Sequence, residues 1–222
     1  MSKAADKELR LAAKRGDVGG IRAALEAGAR ELHTALADAA AGGHVLAATY
    51  LLDRGASLRW TGPLADAAAQ SGSAEILRLL FQRGLVILDD ELAQHCVEAA
   101  ARAGDPESLG LLLDHCAALE PNLDEALLIA IEEEKIETAR LLLDRGADPN
   151  AAQELEMIGR WESRREEALW IAIEKGNASL VRLLLERGAD PQAREGDILR
   201  AAETAGWEEI LRLLREASHP TS

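Results

Sequence analysis

The sequence predicts an all-α fold, a solenoid of stacked helix-turn-helix units with short or irregular finger hairpins between them, and three observations carry that prediction. A phrase made of a leucine cluster, a charged pair and Gly-Ala recurs as LLDRGAS at 51–57, LLDRGADPN at 142–150 and LLERGADPQ at 184–192, with weaker copies ALEAGAR at 24–30 and LLFQRGL at 79–85. A small or apolar pair precedes each cluster, at Ala12-Ala13, Ala39-Ala40, Ala68-Ala69, Ala100-Ala101, Ala130-Ile131, Ala172-Ile173 and Ala201-Ala202, with spacings of 27, 29, 32, 30, 42 and 29 residues. A fixed period of roughly 20 to 50 residues is the signature of repeat architectures. Finally, 48% of the 222 residues are hydrophobic but only 3% are aromatic, which suits thin Leu/Ala layers between stacked helices rather than one deep core.

The repeats follow in order as a single domain over residues 1–222. The first, 7–32, turns between its helices at Gly16, and the second, 33–60, turns at Gly43-His44. The third, 61–91, turns at Gly72 and the fourth, 92–122, at Gly104, with Cys116 where the other repeats end a helix on Gly. The fifth, 123–150, carries Glu134 in place of the inter-helix Gly. These middle repeats diverge most, and irregular fingers are expected there. The 42-residue spacing then marks an insertion at 151–166, where Leu155, Ile158 and Trp161 recur every three residues as in an amphipathic helical turn or a lengthened finger. The sixth repeat, 167–196, shows the pattern best: Leu169, Ala172 and Ile173 fall at helical spacing, Gly176-Asn177 breaks the chain, and Leu180, Leu183 and Leu184 resume it. Gly188 supplies the left-handed residue that ends the second helix, and Asp190-Pro191 enforces an extended turn. The seventh repeat, 197–217, turns at Gly206, and Trp207 beside it is expected to shield the end of the stack.

These residues resemble the ankyrin-repeat family, whose pattern runs T-P-L-H-x-A-A, a Gly turn, a second helix ending in three leucines, then G-A-D-x-N. Thr34-Ala35-Leu36 through Ala39-Ala40 and Gly43-His44 match it, as do Arg145-Gly146-Ala147-Asp148-Pro149-Asn150 and Arg187-Gly188-Ala189-Asp190. The family's His position is held instead by Arg10, Ala37, Asp66, Glu98, Leu128, Trp170 and Arg200. Since that His and the preceding Thr tie neighbouring loops together in the family, the loops here are expected to be held differently.

No sequence motif for catalysis is present: there is no phosphate-binding Gly-rich loop with Lys-Ser/Thr, no nucleophile elbow, no HExxH and no CxxC. His95-Cys96 and His115-Cys116 lie at the same end of one helix pair and form the one weak candidate for zinc, although adjacent residues seldom ligate one metal and Cys is a common core residue. Asp89-Asp90-Glu91 reads as a solvated helix start, and Glu132-Glu133-Glu134 as a solvated helix end. No cofactor is expected.

A net charge of −14 disfavours partners recognised through phosphate, so nucleic acid is not expected. The charged N-terminus lacks a signal-peptide core and no apolar run approaches the ~18 residues of a membrane helix. Two cysteines fit a reducing compartment, so a cytoplasmic location is expected, with the nucleus as the alternative. Residues 1–111 carry 12 Lys/Arg and 15 Asp/Glu, whereas residues 112–222 carry 13 and 24. The resemblance implies a concave face built from finger tips and first-helix ends, here running from Lys14 and Arg15 through Ala41, Gln70, Ser71 and Arg102 to Glu132, Glu133, Glu174, Lys175 and Thr204. The expected function is a protein–protein interaction module or adaptor, acidic toward its C-terminal half and fitted to a basic segment, with Trp60 and Trp161 as apolar anchors and Trp170 nearby, packed under the insertion. The alternative is an enzyme or small-molecule binder with a pocket around Trp170, Glu132 and Glu174, formed by the middle repeats and the insertion.

Overall fold

A computed structural model describes residues 3–59, 61–156, 163–192 and 196–218. Its contacts divide the chain into two compact bodies, Met1–Pro121 and Asn122–Ser222. The first holds α1 (Lys3–Lys14), α2 (Val18–Glu26), α3 (Leu32–Ala41), α4 (Val45–Asp53), α5 (Thr61–Gln70), α6 (Ala74–Gln82), α7 (Asp90–Ala103) and α8 (Pro106–His115). The second holds α9 (Leu123–Glu132), α10 (Ile136–Asp144), a hairpin of β1 (Ala152–Glu156) and β2 (Ser163–Glu167), then α11 (Ala168–Glu174), α12 (Ala178–Glu186), α13 (Asp197–Ala205) and α14 (Glu208–Ser218). The all-α, paired-helix expectation holds.

Short polar side chains start many of these helices by capping otherwise orphaned backbone N–H groups: Asp17 accepts from Gly20, Asp89 from Leu92, Asp105 from Ser108 and Asn177 from Leu180. Within the first body α1, α3, α5 and α7 pack in one row and α2, α4, α6 and α8 in another. The paired small residues found in the sequence explain the first row. Ala12-Ala13, Ala39-Ala40, Ala68-Ala69 and Ala100-Ala101 are all buried, as are Ala130-Ile131 and Ala172-Ile173 in the second body. Side chains this small let helices approach closely, and the leucines of the even-numbered helices close each layer.

The recurring charged pair has a second role. Arg83 reaches back 3.0 Å to Asp53, and Arg187 reaches 2.8 Å to Asp144, so the Arg of one phrase pairs with the acid of the phrase before it. Arg78 pairs with Glu107 in the first body and Arg182 with Glu209 in the second, each linking successive even-numbered helices. Exposed pairs of this kind contribute ~0.2 to 1 kcal/mol each, so they select register more than they set stability.

Inter-helix turns nest on one another. Gly16 has φ +69°, and the His44 ring of the next repeat lies over it while its Nε2 donates to the Lys14 carbonyl at 2.9 Å. Trp207 lies over Gly176 in the same way, against the preceding repeat, rather than shielding the end of the stack as the sequence had implied. Glu134, where the other repeats have Gly, does take the left-handed conformation at φ +55°, and its carboxylate accepts from Asn177 at 2.9 Å. Cys116 does not behave as a glycine substitute. It has φ −102°, a short 3-10 turn follows at Ala117–Leu119, and Glu120 supplies the left-handed residue instead.

The loops are indeed held differently from the family pattern. Asp6, one residue before the family's Thr position, accepts from the backbone N–H groups of Arg30 and Glu31 at 2.8 and 3.2 Å. Asp124 occupies the same place in the fifth repeat and accepts from Asp148 at 2.8 Å. Asn150 accepts from Asp190 N–H at 2.8 Å and donates to the Gly188 carbonyl, tying two loops together. The N–H groups of Arg30 and then Glu31 hold the half-buried Asp6 carboxyl below its ordinary pKa. A lowered folded-state value contributes stability that is complete above the ordinary Asp pKa and lost as pH falls through the folded value. Thermal melts of Asp6→Asn should therefore show a shallower loss of stability than the parent below about pH 4; parallel acid profiles would contradict this role.

The insertion forms a lengthened finger. β1 and β2 pair antiparallel from Ala152–Glu167 to Glu156–Ser163, so Leu155 lies in a strand and the helical alternative fails for it. Ile158 and Trp161 lie outside the described residues.

Candidate binding surface

The ends of the odd-numbered helices are exposed in both bodies, as expected for a binding face. Lys14, Arg15, Ala41, Gln70 and Arg102 are exposed in the first body, with Ser71 half-buried. Gln70 donates to Asp66 Oδ1 at 2.7 Å, and His95 Nε2 approaches the same carboxylate oxygen at 3.2 Å. Asp38 receives Arg10 at 2.7 Å and Lys14 at 3.7 Å. Polar side chains therefore link α1 to α3 and α5 to α7 across this face. That linkage was not legible from residue types alone.

In the second body Glu132, Glu133 and Glu174 are all exposed at the ends of α9 and α11, followed by Lys175 and Thr204. Neither helix has a basic residue in its last turn. Carboxylates there oppose the helix dipole, at a cost of ~0.3 to 1 kcal/mol each. Trp170 borders a shallow depression of about 400 Å3 with Asp197, Arg200, Ala201, Thr204 and Ala205, most of its lining on α13. Neither Glu132 nor Glu174 lines that depression, so the pocket expected around the three residues is not assembled there. Trp60 and Trp161 lie outside the described residues.

Of the four weak zinc candidates, the two histidines are engaged separately. His95 meets Asp66, whereas the His115 ring stacks on Phe81 with centroids 3.7 Å apart and its Nδ1 contacts the Leu111 carbonyl at 2.8 Å. Cys96 and Cys116 are both buried free thiols. Burial, aided by the nearby Cys116 and Asp66, pushes the Cys96 thiol up to about 12, and burial raises Cys116 too, so both favour the neutral thiol. Among the described residues no group of three or more His, Cys, Asp or Glu is placed to hold a metal ion.

An exposed apolar pair was missed by the reading of the sequence. In the extended finger before α7, Leu85 and Ile87 are buried while Val86 and Leu88 are 55% and 81% exposed. Two-residue alternation in LVIL was the available signal.

Paired helices, left-handed turns nested on the next repeat and loop ties within each body define a helical-repeat scaffold. The chain belongs to the ankyrin-repeat family: the family model for ankyrin repeats in three copies matches residues 67–153 and 99–195, together more than half of its length. It is similar to the ankyrin repeat domain of human ASB11, with TM-score 0.70, 24% identity and coverage of 96% of this chain and 99% of that one. It is also similar to the ankyrin repeat domain of Bcl-3, a member of the IkappaB protein family, with TM-score 0.61, 25% identity and coverage of 88% and 89%. No curated protein sequence matches the chain. No described helix is long and apolar enough to cross a membrane.

Proposed function

We propose that this protein is an interaction module, an adaptor that binds another protein through its first-helix ends, with the acidic surface of its second body receiving a basic segment. The observation that carries this reading is the exposure of Glu132, Glu133 and Glu174 together at the ends of α9 and α11. Trp170 offers an apolar contact in the same body, and Trp60 and Trp161 complete the anchor set. Two free, buried cysteines fit a reducing compartment such as the cytoplasm.

The test replaces all three acids with Lys and compares the proteins captured from cell extract by the parent, by this variant and by a variant with Glu26, Glu91 and Glu208 changed to Lys. A partner retained by the parent and the control but lost from the first variant is expected. Its association rate with the parent should fall with added salt and exceed the variant's by about tenfold at low salt. Equal capture by all three proteins would reject the acidic surface as the recognition element.

A further inference from the structure

The finger before α7 carries a strand-like edge with no partner. Burial alternates through Leu85, Val86, Ile87 and Leu88, the two-residue period of extended backbone, and Asp89 continues it at φ −114° and ψ 128°. In such a segment the N–H and C=O of one residue share an edge with those of the residue two further on. Leu85 and Ile87 therefore belong to one edge, where the Leu85 N–H donates to the Leu80 carbonyl at 2.9 Å. Val86 and Leu88 belong to the other. Among the described residues, neither of these two makes a hydrogen bond through its N–H or its C=O. In the insertion, by contrast, β1 and β2 pair with each other. Open edges are usually blunted by Lys, Pro or a bulge, and the run Leu85-Val86-Ile87-Leu88 contains no charge and no Pro.

Three features of this edge define what fits it. The free groups of Val86 and Leu88 match an extended backbone, since a helix uses its own N–H and C=O groups internally. Directly opposite residues of an antiparallel pair share a face, so the exposed Val86 and Leu88 side chains call for aliphatic residues at alternate positions of the incoming segment. Asp89, Asp90 and Glu91 follow at once and are all exposed, and among the described residues Asp90 and Glu91 have no ion-pair partner. An antiparallel segment passes these acids with its N-terminal end, so basic residues belong there. A second copy of this finger does not meet that requirement: the one cation it offers at that end is Arg83, which Asp53 already holds at 3.0 Å.

We infer that the finger binds an extended segment of a partner protein, added as an antiparallel strand along the edge of Val86 and Leu88, with alternating aliphatic residues preceded by basic ones. This site is separate from the acidic surface of the second body and does not depend on it.

The probe is the capped peptide Lys-Lys-Lys-Val-Thr-Val-Thr, titrated into the full chain at physiological ionic strength and followed by NMR and hydrogen exchange. Saturable binding is expected, with slowed exchange at the Val86 and Leu88 amides. N-methylation of both peptide valines removes the donors to the Val86 and Leu88 carbonyls and should weaken binding about tenfold or more. Replacing the three lysines of the peptide with Glu should cost about as much. Leu88→Lys should also weaken binding about tenfold, with an unchanged circular dichroism spectrum because Leu88 is exposed. Changing Glu132, Glu133 and Glu174 to Lys should leave the affinity within about twofold, which separates this site from general attraction to an acidic protein. The site would be overturned by a parent chain that does not bind the peptide, by an N-methylated peptide that binds as well as the unmodified one, or by a loss that follows the second-body substitutions and not Leu88→Lys.

Discussion

Leu112→Ala is expected to lower the unfolding free energy by about 3 kcal/mol, within the usual range of about 2 to 5 for a buried leucine. Leu112 is fully buried in α8, which packs on α7, and most of the residues that α7 buries are alanines, Ala93, Ala99, Ala100 and Ala101, which have little volume with which to fill a space left behind. A thin Leu/Ala layer is therefore less able to repair a deletion than a core with long, adaptable side chains. Urea denaturation followed by circular dichroism measures the effect. Leu46→Ala provides the comparison: Leu46 is 78% exposed on α4, and its truncation should change stability by less than about 0.5 kcal/mol. Similar values for the two variants would show that the layer relaxes around the missing side chain.

Gly16→Ala is expected to be the other severe change, at about 2 to 3 kcal/mol, although it adds a single carbon. Part of the cost is the left-handed backbone at φ +69°, about 1 to 2 kcal/mol for an L-residue. The remainder is steric. A Cβ there would lie 2.8 Å from His44 Nδ1 and 2.9 Å from its Cγ, and the same ring also passes so close to Gly42 that a Cβ there would lie 2.6 Å from its Cδ2. His44 must move, losing its bond to the Lys14 carbonyl. Gly55→Ala separates the two contributions, since Gly55 has φ +90° with nothing within 4 Å of the added carbon. It should cost only the backbone part, about 1 to 2 kcal/mol. Equal losses at both sites would mean that the nesting of His44 over Gly16 contributes nothing.

Periodicity made the repeats legible because every helix pair solves the same problem. The Ala-Ala pairs mark where helices approach most closely, and the recurring Gly marks where the backbone turns left-handed, so both can be read along the chain. The departures were harder to read. Glu134 took the glycine conformation that its position demanded, whereas Cys116 did not, and a 3-10 turn ending at Glu120 replaced the usual helix end. Position alone could not separate these outcomes because each rests on what the adjoining repeat supplies; Glu134 has Asn177 as a partner.

The candidate site was legible to a lesser degree. Acidic residues were expected at the ends of α9 and α11, and there they are exposed. What escaped were relations between residues far apart in sequence: Gln70 and His95 sharing Asp66, Arg10 and Lys14 sharing Asp38, and Trp170 opening toward α13. The zinc candidates are likewise not gathered into a set of three or more among the described residues, since His95 meets Asp66 and His115 stacks on Phe81.

By itself, then, the sequence determined the class of fold, the helix pairs and the acidic bias of the C-terminal half, all of which follow from local spacing and composition. Tertiary structure alone decided that Asp6, Asp124 and Asn150 hold the loops, that Trp207 covers Gly176 and that the insertion pairs as a hairpin. The division has one physical cause. Helical periodicity is written within a few residues, whereas a hydrogen bond between loops or a ring over a glycine depends on how far one repeat is shifted against the next.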